Sequence, residues 1–65
     1  MREFQYGVVY TEDEILKVAS PVNHQDEYLV ADTPSTEYWF QRSGHYWELS
    51  HVWSHFVLGK PTKHQ

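Results

Sequence analysis

Two histidines have the spacing of a metal-binding pair. In a helix, His51 and His55 would stand one turn apart, about 6 Å, and could share a metal ion. In a strand they would share a face but lie about 13 Å apart, which is too far for joint ligation. His45 or His24 could supply another ligand, although no feature of the sequence requires it. We therefore expect no metal and no cofactor, and leave the His51–His55 pair open until the secondary structure is known.

Serine, histidine and aspartate are all present, but not in a catalytic pattern. Ser50 and Ser54 flank His51, yet neither serine lies in a nucleophile elbow or beside a glycine-rich oxyanion turn. The isolated glycines form no phosphate-binding loop. A chain of 65 residues can hardly enclose a pocket that excludes water. We expect a protein that is not an enzyme.

Aromatic side chains are the main chemical resource of this sequence. The chain has 3 Trp, 5 Tyr and 3 Phe but no Cys, so rings must stabilise the domain where disulfides and thiolate zinc sites cannot. Because Trp and Tyr dominate interface hot spots, any of these rings left outside the core is a candidate for binding. The absence of Cys also fits a reducing compartment, and we expect a cytoplasmic protein.

Charge is distributed unevenly along the chain. Residues 1–40 contain eight acidic residues and two basic ones, for a net charge of −6, whereas residues 41–65 carry +2. An acid triad of Glu12, Asp13 and Glu14 projects carboxylates that could meet a basic surface of another protein. Nucleic-acid binders usually concentrate basic residues, so the charge argues against that partner.

The first half of the chain contains signals for two strands and a helix. Residues 3–10 alternate between aromatic or β-branched and other side chains, which predicts a strand. Thr11 and Glu14 match a capping box, and a short helix would follow to about Ala19. After a polar, turn-like stretch, residues 27–31 form a second predicted strand.

A β-hairpin is the clearest local prediction. The runs Thr36 to Arg42 and His45 to Ser50 are separated by Ser43-Gly44, which predicts a two-residue turn. That register pairs core-facing side chains across the ladder: Arg42 with His45, Phe40 with Trp47, and Tyr38 with Leu49. On the opposite face it leaves Trp39 and Tyr46 as diagonal neighbours among polar residues.

The segment from Ser50 to residue 58 is ambiguous. Apolar residues at Val52, Trp53 and Phe56 follow the helical spacing set by Leu49, and Ser50 could serve as N-cap, so we favour a helix over a strand. A helix here could cover the face that carries Trp39. The role of Trp53 depends on this choice.

These elements predict an α+β fold: a small antiparallel sheet, made of the hairpin 36–50 and strands 3–10 and 27–31, with one or two short helices. The alternative is a small all-β barrel, SH3-like or OB-like. We expect residues 1–61 to form a single domain and residues 62–65 to be a frayed tail. No apolar run approaches the roughly 18 residues of a membrane span, so we expect no membrane partner.

The order of these parts resembles that of small bacteriophage accessory proteins. The resemblance covers about residues 5 to 49, with Tyr6-Gly7-Val8-Val9-Tyr10 at its start and Arg42-Ser43-Gly44-His45-Tyr46-Trp47 near its end. It carries over no catalytic residue. It implies a compact accessory protein that acts in the host cytoplasm. Several proteins of this kind bind and inhibit a host protein.

We therefore expect a small protein-binding module, of the kind with which a phage inhibits or modulates a host protein. The alternatives are a small β domain that binds single-stranded nucleic acid and a homodimeric accessory protein. The candidate binding residues are Trp39, Tyr46, Trp53, Glu12, Asp13 and Glu14.

Overall fold

A computed structural model describes residues 4–57 and 60–61 of the chain, with one short helix and two antiparallel sheets. The elements in chain order are β1 (Val9–Tyr10), α1 (Glu12–Leu16), β2 (Ser20–His24), β3 (Tyr28–Asp32), β4 (Thr36–Ser43), β5 (Tyr46–Ser54), β6 (Phe56–Val57) and β7 (Lys60–Pro61). The main sheet has five strands in the order β1-β5-β4-β3-β2, and β6 pairs with β7 in a sheet of two strands.

The predicted α+β class is wrong, because the fold is nearly all-β. Helix α1 has only 5 residues. The predicted strand 3–10 shrinks to Val9–Tyr10, since Gly7 adopts a positive φ of 81° and turns the chain before β1. A further strand, β2, lies where the sequence predicted a turn. The edge strands β1 and β2 do not pair in the described part of the chain, so the main sheet is open and is not a closed barrel.

The capping box at the start of α1 is confirmed. The Thr11 backbone N–H donates to Glu14 Oε1 at 2.8 Å, and the Glu14 backbone N–H donates to Thr11 Oγ1 at 3.1 Å. The helix is shorter than predicted and ends at the C-cap residue Lys17. Its buried residue Ile15, together with Ala19 just after the helix, packs on the sheet.

The hairpin exists, but its turn lies one residue later than predicted. Ser43 pairs with Tyr46, so the two turn residues are Gly44 and His45. Two-residue hairpin turns need a positive φ at their first position, and Gly44 supplies it with φ of 66°. The predicted turn would have required Ser43 to adopt that conformation, at a steric cost that glycine avoids.

The shifted turn changes the cross-strand partners but not the faces. Phe40 pairs with Leu49 and Arg42 pairs with Trp47, each two residues away from the predicted partner. Because side chains alternate with a period of two, a shift of two residues keeps every side chain on its predicted face.

A β-bulge in β5 overturns the predicted helix after Ser50. The strand continues to Ser54, and the pairing with β4 changes from Phe40–Leu49 to Trp39–His51, which leaves Ser50 as the extra residue. Beyond the bulge every side chain changes face relative to an uninterrupted ladder. The predicted tail 62–65 lies outside the described residues.

The core lies on one face of the main sheet. It consists of Phe4, Ile15 and Ala19 from the N-terminal segment, packed against Leu29, Ala31, Tyr38, Phe40, Trp47 and Leu49 of the sheet. The predicted core residues Tyr38, Phe40, Trp47 and Leu49 are confirmed, each at most 5% exposed.

Phe4 is the ring that joins the N-terminal segment to the sheet. It makes edge-to-face contacts with Tyr10, Tyr38 and Phe40 at centroid distances of 5.0, 4.9 and 5.1 Å. Each contact of this geometry adds about 0.5 to 1.5 kcal/mol beyond simple burial. We call this side of the sheet the core face.

Candidate functional site

The face of the sheet opposite the core face, which we call the outer face, carries the candidate site. Residues directly opposite each other in a ladder share a face, so the pairing assigns its members. The three central strands contribute Tyr28, Val30 and Asp32 from β3, Glu37, Trp39 and Gln41 from β4, and Tyr46, Glu48, His51 and Trp53 from β5.

Three aromatic residues form a diagonal across the outer face, which we call the aromatic strip: Tyr28, Trp39 and Trp53. The rings of Tyr28 and Trp39 are nearly parallel, with centroids 6.4 Å apart and an interplanar angle of 14°. Trp53 lies opposite Glu37, two residues along β4 from Trp39, and such diagonal neighbours are about 7 to 8 Å apart. The exposed fraction is 37% for Tyr28 and 40% for Trp53, so the strip presents rings to solvent.

Trp39 is fixed in place by polar and aromatic neighbours. Its indole Nε1 donates to Glu37 Oε2 at 2.5 Å. The ring of His51, directly opposite on β5, meets the indole edge-on at 6.2 Å. A ring held on several sides loses little conformational entropy when a ligand docks on it.

Val30 is a buried residue at the centre of the outer face. It pairs with Trp39 and is only 4% exposed, yet it is not part of the core cluster. Buried apolar surface beside half-exposed rings is the arrangement found at the centre of protein interfaces, where water is excluded around a few anchors.

The charged side chains of the outer face are acidic. Asp32, Glu37 and Glu48 contribute carboxylates, and among the paired residues of β3, β4 and β5 no Lys or Arg shares this face with them. Arg42 points to the core face, where its guanidinium lies 4.4 Å from the ring of Trp47 and its Nε donates to the Asp26 carbonyl oxygen. The outer face therefore combines rings with negative charge.

Tyr46 and Trp39 are not the diagonal neighbours that the sequence predicted. Both lie on the outer face, but Tyr46 pairs with Ser43 at the hairpin turn, four residues along β4 from Trp39. That separation is about 13 Å. Trp53 takes the predicted place of Tyr46 beside Trp39 because the bulge at Ser50 turns it to this face.

The acid triad Glu12, Asp13 and Glu14 lies on the other side of the molecule. Helix α1 packs on the core face through Ile15, so its carboxylates do not meet the aromatic strip. Glu12 Oε1 lies 3.4 Å from Nε2 of His24, and Glu14 is part of the capping box. Asp13 takes part through its backbone, since its carbonyl oxygen accepts from the Lys17 N–H at 3.1 Å.

The two histidines with metal-ligand spacing have different neighbours. His51 Nδ1 contacts Ser50 Oγ at 2.8 Å, whereas His55 Nε2 contacts Asp32 Oδ1 at 2.5 Å. The strand conformation of His51 removes the helical geometry that joint ligation required. Across residues 4–57 and 60–61 there is no group of three or more potential metal ligands.

Sequence reasoning missed Tyr28, Glu37 and His51 as members of the candidate site. Tyr28 could have been recognised, because it shares a face with Val30 in the predicted strand 27–31. Its proximity to Trp39 depends on the pairing of β3 with β4, which the sequence did not specify. His51 reaches this face only through the bulge.

Comparison with known proteins gives no further guide to the role of this face. No family model, curated protein or solved structure matches the chain. Among the described residues no helix is long and apolar enough to cross a membrane.

Proposed function

We propose that this chain is a non-enzymatic binding module that holds another protein against the outer face of its sheet. The observation that carries the proposal is the aromatic strip: two rings, Tyr28 and Trp53, are more than a third exposed on either side of Trp39, which its neighbours hold in place. Large, rigid rings of this kind supply most of the binding energy in protein interfaces.

The outer face also has the layout of an interface beyond its rings. The buried Val30 lies next to Trp39, and polar groups of Gln41, Glu48 and His51 surround the strip. An apolar centre with a polar rim is typical of non-obligate interfaces. The aromatic residues that pack in the core are already used for folding, whereas Tyr28 and Trp53 remain exposed to a partner.

Binding of single-stranded nucleic acid would also use exposed rings, but it needs cations to follow the phosphates. The acidic residues that β3, β4 and β5 place on the outer face would repel a phosphate backbone. Homodimerisation through the outer face is the other alternative, and it predicts a mass that rises with concentration.

The finer expectation, that the partner is a host protein inhibited by a phage accessory protein, depends only on the resemblance over residues 5 to 49. A cytoplasmic location depends on the cysteine-free composition. Neither is needed for the outer face to bind a protein.

Affinity capture with matched variants tests the proposal. The immobilised chain is incubated with a cell lysate as wild type, as Trp53→Ala and as Tyr6→Ala; Tyr6 is 62% exposed but lies before β1, outside the sheet. We expect a protein that is retained by wild type and Tyr6→Ala and lost with Trp53→Ala.

Two results would contradict the proposal. Retention of the same protein by all three variants would remove the outer face from the interface. Loss of that protein only on substitution of Asp13 by Asn would move the interface to the acid triad on the other side of the sheet.

A further inference from the structure

We infer that the segment bound at the outer face is cationic, with arginine side chains that stack on the aromatic strip and pair with the carboxylates beside it. This inference rests on the proposed function and names the chemistry of the partner. It follows from the distribution of charge and rings on the two faces of the sheet.

The rings and the carboxylates of the outer face are adjacent. Glu37 lies between Trp39 and Trp53, since it hydrogen-bonds the indole of Trp39 and pairs across the ladder with Trp53. At the other end of the strip, Tyr28 pairs with Gln41, which pairs in turn with Glu48. A guanidinium stacked on Trp39 or Trp53 would therefore have a carboxylate within reach.

Arginine suits this surface better than other side chains. Its planar guanidinium stacks on Trp and Tyr, remains charged at all physiological pH values, and donates several hydrogen bonds to carboxylates. The chain itself shows the same contact on its core face, where the Arg42 guanidinium stacks 4.4 Å from the ring of Trp47.

The charge of the outer face selects against the other occupants. An anionic partner would meet the carboxylates of Glu37 and Glu48, and that of Asp32 beside His55. A second copy presenting the same face would oppose carboxylates to carboxylates, which is unfavourable at an interface. A cationic peptide would be stabilised both by stacking on the rings and by pairing with the carboxylates.

Calorimetric titration with short blocked peptides tests the inference. In the first peptide arginine alternates with glycine, so that an extended chain presents its guanidinium groups on one side. In the second, citrulline replaces arginine, which keeps the planar group but removes the charge. We expect the arginine peptide to bind and the citrulline peptide to bind at least about tenfold more weakly.

Matched charge variants locate the contact. Glu48→Gln removes a carboxylate from the outer face and should raise the Kd of the arginine peptide about two- to fivefold. Asp13→Asn makes the same change in net charge on helix α1 and should leave the Kd within the error. In NMR spectra, the indole N–H signals of Trp39 and Trp53 should shift on titration while that of Trp47 stays in place.

Each contrary result has a distinct meaning. Equal affinity for the arginine and citrulline peptides, or equal effects of Glu48→Gln and Asp13→Asn, would overturn the cationic partner. Tighter binding of oligothymidylate, or a dimer abolished by Trp53→Ala, would overturn it in favour of nucleic acid or a second copy. If the arginine peptide fails but Trp53→Ala still loses a captured protein, the inference fails and the proposed function stands.

Discussion

Trp47 and Trp53 lie six residues apart on one strand, yet their side chains occupy opposite faces of the sheet. Trp47 pairs with Arg42 and is 1% exposed in the core, whereas Trp53 pairs with Glu37 and is 40% exposed on the outer face. An even separation in a regular strand would place both on the same face. The extra residue Ser50 accounts for the difference, because one inserted residue reverses the alternation beyond it.

Deleting Ser50 should therefore leave the faces of the residues that follow it unchanged. Without the extra residue, Leu49 is followed directly by His51, so regular alternation keeps His51 and Trp53 on the outer face and Val52 on the core face. We expect nuclear Overhauser contacts between the rings of Trp39 and His51 to persist, together with those between Phe4 and the core.

The same deletion should change the free energy of unfolding by about 1 kcal/mol or less, because it removes the unpaired residue and keeps the Phe40–Leu49 and Trp39–His51 pairs. Ser50→Gly keeps the extra residue and is the matched control. Loss of the Trp39–His51 contact in the deletion variant would contradict the assignment of Ser50 as the extra residue.

The two tryptophans should differ sharply in their effect on stability. Trp47→Ala removes a fully buried ring and should cost about 3 to 5 kcal/mol, which is comparable to the entire stability of about 3 to 10 kcal/mol typical of a chain this size. Trp53→Ala removes a half-exposed ring and should cost about 1 kcal/mol or less. Urea unfolding followed by circular dichroism measures both. A Trp53→Ala variant as unstable as Trp47→Ala would place Trp53 in the core.

The hairpin turn should depend on Gly44. A methyl group there meets no atom within 4 Å, so the only cost of Gly44→Ala is the positive φ of 66°. We expect a loss of about 1 to 2 kcal/mol in the free energy of unfolding. Gly44→Asn should lose less, because asparagine tolerates the left-handed conformation. Equal stability of the alanine variant and wild type in thermal denaturation would contradict the assigned turn.

The capping box should contribute measurably despite the shortness of α1. Thr11→Ala removes the acceptor for the Glu14 backbone N–H and should cost about 1 kcal/mol. Thr11→Ser keeps the oxygen and is expected to retain most of that stability. Chemical denaturation measures the free energy of unfolding of the two variants. A serine variant as unstable as the alanine variant would point to the methyl group of Thr11 instead of its hydroxyl group.

Local chemistry could be predicted from the sequence wherever a few adjacent residues determine the outcome. The capping box of Thr11 and Glu14, the hairpin around Gly44 and the strand at Tyr28 depend on short-range hydrogen bonds, steric limits and side-chain alternation. The buried face of the hairpin, with Tyr38, Phe40, Trp47 and Leu49, was also predicted correctly, because period-two patterning is unaffected by a register error of two residues.

Only the tertiary structure decided which residues form the outer face. The spacing of Val52, Trp53 and Phe56 from Leu49 also suits a helix, and no local signal marks Ser50 as a bulge, so the sequence favoured the wrong element there. Long-range pairing with β4 overrides that local preference, since the strand gains ladder hydrogen bonds and packs Val52 and Trp53 on opposite faces. In the same way, Tyr28 joins Trp39 only because β3 pairs with β4, a contact between residues that are distant in the chain.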